Sequence, residues 1–152
     1  MKLIKRVCLL LGFACLCSSA LAEQQQSFGD YEVHYSVVPT RFIPQETASA
    51  YQITRGENRM LLNISVRRKL KDTSVSETLP QAALIKGQRH DLMRPYALTF
   101  REVREQDAIY YLADFLIINE ELSRFEIEVT LPESGEKLEM EFVKTLYIDK
   151  ER

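Results

Sequence analysis

The sequence predicts an all-β domain, an antiparallel β-sandwich of immunoglobulin-like architecture with about eight strands and one short helix. Three observations predict it. Apolar residues recur at every second position in run after run, the period of a strand with one buried face. Gly29, Gly56, Gly87 and Gly135 fall between those runs, where turns are expected. The 152 residues are 45% hydrophobic and 28% charged, enough apolar material for one core and too much for a disordered chain. No repeat or linker divides residues 23–152, so they are expected to form a single domain. The Cys-Trp-Cys signature of antibody domains is lacking, so the likeness is one of architecture.

Residues 1–22 read as a secretory signal peptide. Lys2, Lys5 and Arg6 supply the positive start, Val7 to Cys17 the apolar stretch, and Ala20-Leu21-Ala22 the small-residue cleavage site. The apolar stretch is shorter than the ~20 residues that a spanning helix needs. All three cysteines, Cys8, Cys15 and Cys17, lie in this segment. Cleavage after Ala22 therefore leaves a chain without thiol chemistry or Cys-ligated metals. It also removes three positive charges, leaving 17 Lys+Arg against 22 Asp+Glu, a net charge of -5. That balance argues against a nucleic-acid partner. No later segment is apolar enough to span a membrane.

The elements follow in order. Tyr31, Val33, Tyr35 and Val37 alternate with polar residues and set a strand over 28–38. Pro44 can open a short helix running from Gln45 to Tyr51. Strands are expected at 51–55 and at 60–68, where Leu62, Ile64 and Val66 alternate with Asn63, Ser65 and Arg67. Further strands are expected at 79–86 and 96–104. Residues 108–118 are apolar on both faces, and their aromatic and β-branched content favours a central strand over a helix. Phe125, Ile127 and Val129 place a strand over 124–131; Leu138, Met140 and Phe142 place the last over 137–148. Short connections predict that the last four strands form one antiparallel meander.

Register on that meander yields a candidate interaction face. With Ser134-Gly135 central to the last turn, Leu131 faces Leu138, Val129 faces Met140, Ile127 faces Phe142, and Glu128 faces Glu141. A tight turn at Gln106-Asp107 sets Arg101 against Leu112 and Thr99 against Asp114. Matching Phe115 to Ile127 sets Asp114 against Glu128. The result is a row of Thr99, Asp114, Glu128 and Glu141 across four strands, flanked by Arg101, Tyr110 and Leu112. The expected reading is a solvated face whose repulsion Arg101 and Lys144 relieve. A hard cation is the alternative, although no loop supplies the ligand spacing of a dedicated Ca²⁺ site. Tyr110 and Tyr111 put one ring on each face. Leu112, Leu116 and Ile118 point to the wetter side and need a cover, from the chain's own loops or from a partner.

Catalytic signatures are few. There is no G-x-S-x-G elbow, P-loop or G-x-G-x-x-G motif. His34 is expected on a polar strand face and His90 on a loop beside Asp91, and neither sits at metal-ligand spacing. No Trp offers a sugar platform. Asn63-Ile64-Ser65 matches a glycosylation sequon. Arg67 to Lys71 reads as a charged guard at a strand end. No catalytic residue, metal or cofactor is expected, and a non-catalytic binding module is the leading reading. A small carboxylate hydrolase and a cation-binding domain are the alternatives.

Several segments together resemble a known family. They are Phe42-Ile43-Pro44, Ala50 to Arg55, Leu62 to Val66, Leu98 to Val103, Ala108 to Ala113 and Phe125 to Val129. In this order the chain resembles, over about 28–148, the bacterial domain-of-unknown-function family numbered 4426. These are small proteins with a signal peptide, mainly from gammaproteobacteria. The resemblance implies an all-β domain in the periplasm, brings no catalytic residue with it, and sets the sequon aside. A periplasmic or envelope protein is the expected partner.

Overall fold

The computed structural model describes residues 24–71, 77–118 and 120–148; the predicted signal peptide lies outside them. Ten strands form two antiparallel sheets that pack as a sandwich. The strands are β1 (Gln24–Phe28), β2 (Tyr31–Pro39), β3 (Arg59–Lys69), β4 (Thr78–Pro80), β5 (Leu84–His90), β6 (Pro95–Leu98), β7 (Arg101–Arg104), β8 (Ile109–Leu116), β9 (Glu121–Thr130) and β10 (Lys137–Leu146). One sheet runs β1-β2-β3-β8-β7, with β4 beside the far end of β3; the other runs β10-β9-β5-β6. A 3-10 turn (Thr40–Phe42) and the helix α1 (Gln45–Ala50) bridge β2 and β3.

The period-two apolar residues meet between the sheets. Val33, Leu62, Ile64, Ala113, Phe125 and Val129 are wholly buried. Phe125 stacks on Phe142 at 4.7 Å between centroids, and Tyr35 lies 4.2 Å from Phe142 across the sandwich. Each such large side chain is worth about 1.5–3 kcal/mol of burial. Tyr111 turns inward and accepts the Ala83 N–H at 2.8 Å, which satisfies its hydroxyl in the core.

The expected four-strand meander is not formed. The 96–104 run splits: β6 pairs with β5 in one sheet and β7 with β8 in the other. Thr99-Phe100 carries the chain across the sandwich, and Phe100 packs on the core. The chain crosses again between β8 and β9, where Ile117 is fully buried and its N–H bonds Asn58 O at 2.9 Å. Each crossing turns a sandwich corner. It keeps the apolar period unbroken, so sequence pattern alone does not reveal it. The expected 79–86 strand splits in the same way into β4 and β5.

Three smaller differences have local causes. β1 adds a hairpin partner to β2, closed by Gly29 at φ +56°. Residues 51–55 are not a strand but the turn that caps α1 and the irregular segment after it. Ile53 N donates to Ala48 O at 2.8 Å and Gln52 N to Ser49 O at 3.3 Å, with Gln52 at φ 55°. That is a Schellman motif with Gln where Gly is usual, so its usual sequence mark is missing. The β9–β10 register is offset by two residues. Leu131 N bonds Glu136 O across a four-residue loop ending in Gly135 at φ +70°, so Glu133-Ser134 is central. Leu138 then faces Val129, and Glu139 faces Glu128. The apolar face is preserved because the offset is even.

Gly87 lies inside β5 rather than at a turn. A Cβ there would meet Ile127 Cδ1 at 2.5 Å, Glu126 O at 3.1 Å and Phe100 Cε2 at 3.3 Å. Gly87→Ala is expected to lower stability by about 1–3 kcal/mol, read as a shift in urea midpoint. An unchanged midpoint would show that Ile127 repacks freely.

Candidate interaction surface

The predicted face is divided between two sheets. Arg101, Tyr110, Leu112 and Asp114 lie on the six-stranded sheet, whereas Glu128 and Glu141 lie on the four-stranded one. Arg101 does face Leu112, but Thr99 lies outside both β6 and β7 and has no strand partner. The acidic row therefore does not exist as a row.

Its first half is covered. Leu112 packs with Ala48, Ile53 and Leu61, beside Tyr110 and Val103. The cover needed by one outward leucine is thus the chain's own helix. Asp114 accepts Arg59 Nη2 at 2.6 Å and Arg101 Nη1 at 2.9 Å, with its side chain 8% exposed. Burial alone would raise the Asp114 pKa, but the hydrogen bonds and charges of the two guanidiniums outweigh it and hold the carboxyl below its usual range. Two cations already occupy this carboxylate, so it is no site for a third.

Its second half is an open trough of about 690 Å³ on the outer face of the four-stranded sheet. Glu128 faces Glu139 and Glu126 faces Glu141 there, like charges directly opposed. Cations relieve them: Lys137 sits 2.9 Å from Glu128, and Arg124 sits 3.1 Å from Glu126. Gln88 donates to Glu126 at 2.6 Å. These hydrogen bonds, Gln88 on Glu126 and Lys137 on Glu128, depress both carboxyl pKa values. His90 is on β5, not a loop. Its imidazole lies 3.1 Å from the carboxylate of Glu126. A histidine–carboxylate pair meets one requirement of the hydrolase alternative, but the trough is an exposed sheet face without the enclosure that excludes water. Among the described residues, no group of three or more His, Cys, Asp or Glu is placed to hold a metal ion.

The most unusual surface is one end of the sandwich. Strand register brings together there the ends of β2, β5, β8 and β10 and the starts of β3, β6 and β9. Leu92 and Met93, in the β5–β6 loop, are 86% and 88% exposed. Phe42, Leu116, Ile118, Leu122 and Tyr147 at the same end are each more than half exposed. Leu116 and Ile118 are the outward residues that α1 does not reach.

This end is rigidly built. Asp91 Oδ1 accepts the N–H groups of Met93 at 2.7 Å and Arg94 at 2.9 Å, which fixes the loop and lowers the Asp91 pKa. Arg94 Nε donates to the Tyr96 hydroxyl at 2.9 Å. Beneath the loop, Arg89 is 4% exposed. Its guanidinium stacks over Tyr96 at 4.6 Å and Phe115 at 5.3 Å. It pairs with Glu121, donates to Ser123 Oγ at 3.1 Å and reaches Leu116 O at 3.4 Å. Arg89 thus ties the β5–β6 hairpin to the β8–β9 crossover. Sequence reading missed this centre, because a buried arginine in a strand looks like any exposed one. The apolar pair Leu92-Met93 inside a turn was the available signal.

A family model described as "Domain of unknown function (DUF4426)" matches residues 25–149. The chain belongs to this family. A crystal structure of a DUF4426 protein from Pseudomonas aeruginosa PAO1 shares 32% identity, covers 84% of this chain and 97% of its own, and superposes with a TM-score of 0.71. Two structures of FetP from uropathogenic Escherichia coli strain F11 share 10% identity. A copper-bound variant gives a TM-score of 0.58, with 82% of this chain and 94% of that one covered. The as-isolated protein, expressed in the periplasm, gives 0.55, with 83% and 94% covered. At that identity the FetP likeness is one of fold. No curated protein matches the sequence significantly.

Proposed function

We propose that this DUF4426 protein is a non-catalytic interaction module of the periplasm, and that its contact surface is the apolar end built on Arg89. The observation that carries the reading is the loop Asp91–Arg94, held by its own hydrogen bonds while it presents Leu92 and Met93 almost fully to solvent. A loop ordered in advance spends less entropy on binding, and exposed apolar groups on a fixed frame are what an interface core requires. The periplasmic location is supported by the signal-like residues 1–22. β1 begins at Gln24, so cleavage after Ala22 leaves every described element in place. Copper is named for FetP alone, and among the described residues no group of three or more His, Cys, Asp or Glu is placed to hold a metal ion.

The test is affinity capture of the tagged protein from cross-linked periplasm, beside a Leu92→Asp/Met93→Asp variant. Captured material is expected with the parent and lost with the variant, at equal melting temperature. Equal capture by both would remove the apolar end from the interaction.

A further inference from the structure

We infer that the apolar end pairs with the same end of a second copy of this chain, as a two-fold dimer. The inference rests on the interaction reading above and names its partner. Area is the first argument. Phe42, Leu92, Met93, Ile118, Leu122 and Tyr147 expose between 52% and 88% of their surface. Summed over the whole residues, that is on the order of 800 Å² of open surface, close to what each partner buries in a standard interface. The distribution is lopsided too: among the described residues at the opposite end, only Leu79 and Leu84 are comparable.

Charge is the second argument. The rim carries both signs, with Asp91 and Arg94 flanking the loop tip and Glu120 just before β9. An isologous interface sets a patch against its own copy. Asp91 of one copy can then face Arg94 of the other. An anionic membrane surface calls for a basic rim instead, and Asp91 and Glu120 oppose it. Rigidity is the third: the Asp91 turn and the Arg89 tie hold both halves of the contact in one shape before they meet.

Sedimentation of the full chain, as the cell processes it, over a concentration series is the test. A reversible dimer is expected, weakened by tenfold or more in Leu92→Asp/Met93→Asp because central apolar anchors dominate binding. The lack of cysteine beyond residue 17 gives a second readout that does not depend on a disruptive change. Met93→Cys is expected to cross-link into dimers on mild oxidation, and Leu79→Cys at the other end is not. A parent protein that stays monomeric overturns the inference, as does equal cross-linking at the two positions. A monomer that captures a different periplasmic protein, or that sediments with anionic vesicles, also overturns it while leaving the apolar end an interaction surface. A monomer that does neither overturns both readings.

Discussion

Arg89→Met is expected to destabilise the protein by about 3–5 kcal/mol, the cost of breaking a buried ion pair by removing one partner. The Arg89 side chain is 5% exposed and that of Glu121 16%. Removing the guanidinium leaves the Glu121 carboxylate without its cation, though it still accepts the Ser123 hydroxyl at 2.9 Å, leaves Ser123 Oγ and Leu116 O without this donor, and takes a cation from the Tyr96 and Phe115 rings. Glu121→Gln should cost less, since Arg89 keeps Ser123 and Leu116 O as acceptors. Arg89→Met combined with Glu121→Leu should recover much of the loss, because an apolar pair of similar volume leaves no buried charge alone. Urea unfolding of the three variants checks the ranking. If Arg89→Met costs less than about 1 kcal/mol, water reaches the pair and the tie is a surface bridge. The loop consequence is separate: with the tie cut, Leu92 and Met93 should lose their fixed presentation, seen as faster amide exchange across Asp91–Arg94.

How much of this was legible in the sequence depended on the range of the interaction involved. Period-two patterning located β2, β3, β9 and β10 because one-sided burial writes itself into adjacent residues, whereas aromatic and β-branched content located β8. Pro44 marked α1 by its fixed φ. The Arg101–Leu112 register followed from a local turn. Sheet membership did not follow, since a strand pattern says which face is buried and not against what. Thr99-Phe100 and Ile117-Ile118 keep their apolar character while the chain changes sheets, so Asp114 and Glu128 were placed side by side when they lie on different sheets. The acidic row across four strands is not formed for that reason. The need for a cover over Leu112, Leu116 and Ile118 was a burial argument and survived in two parts. α1 covers the first, and the other two open onto the apolar end.

Asp114→Asn is expected to cost about 2–3 kcal/mol at neutral pH. This is somewhat below the full cost of a broken buried pair, because Arg59 and Arg101 are 24% and 32% exposed. The amide keeps one acceptor for two guanidiniums and turns an NH2 group toward the other, so two cations remain beside each other without their shared anion. The same carboxylate also gives stability a pH dependence whose sign is fixed. Its folded pKa is depressed, so its contribution is fully present above the ordinary carboxylate value of about 3.9. It is lost as pH falls from there through the folded value. Glu126, Glu128 and Asp91 are shifted the same way and add to the acid slope of the parent. The informative quantity is therefore the difference between parent and Asp114→Asn, measured as urea midpoints from pH 7 down to pH 2.5. That difference should stay constant above about pH 5 and shrink below pH 4, as the unfolded parent takes up a proton that the folded Asp114 carboxylate still refuses. A difference that persists unchanged into acid would mean that the loss comes from packing of the amide, and that the two arginines are not held by charge.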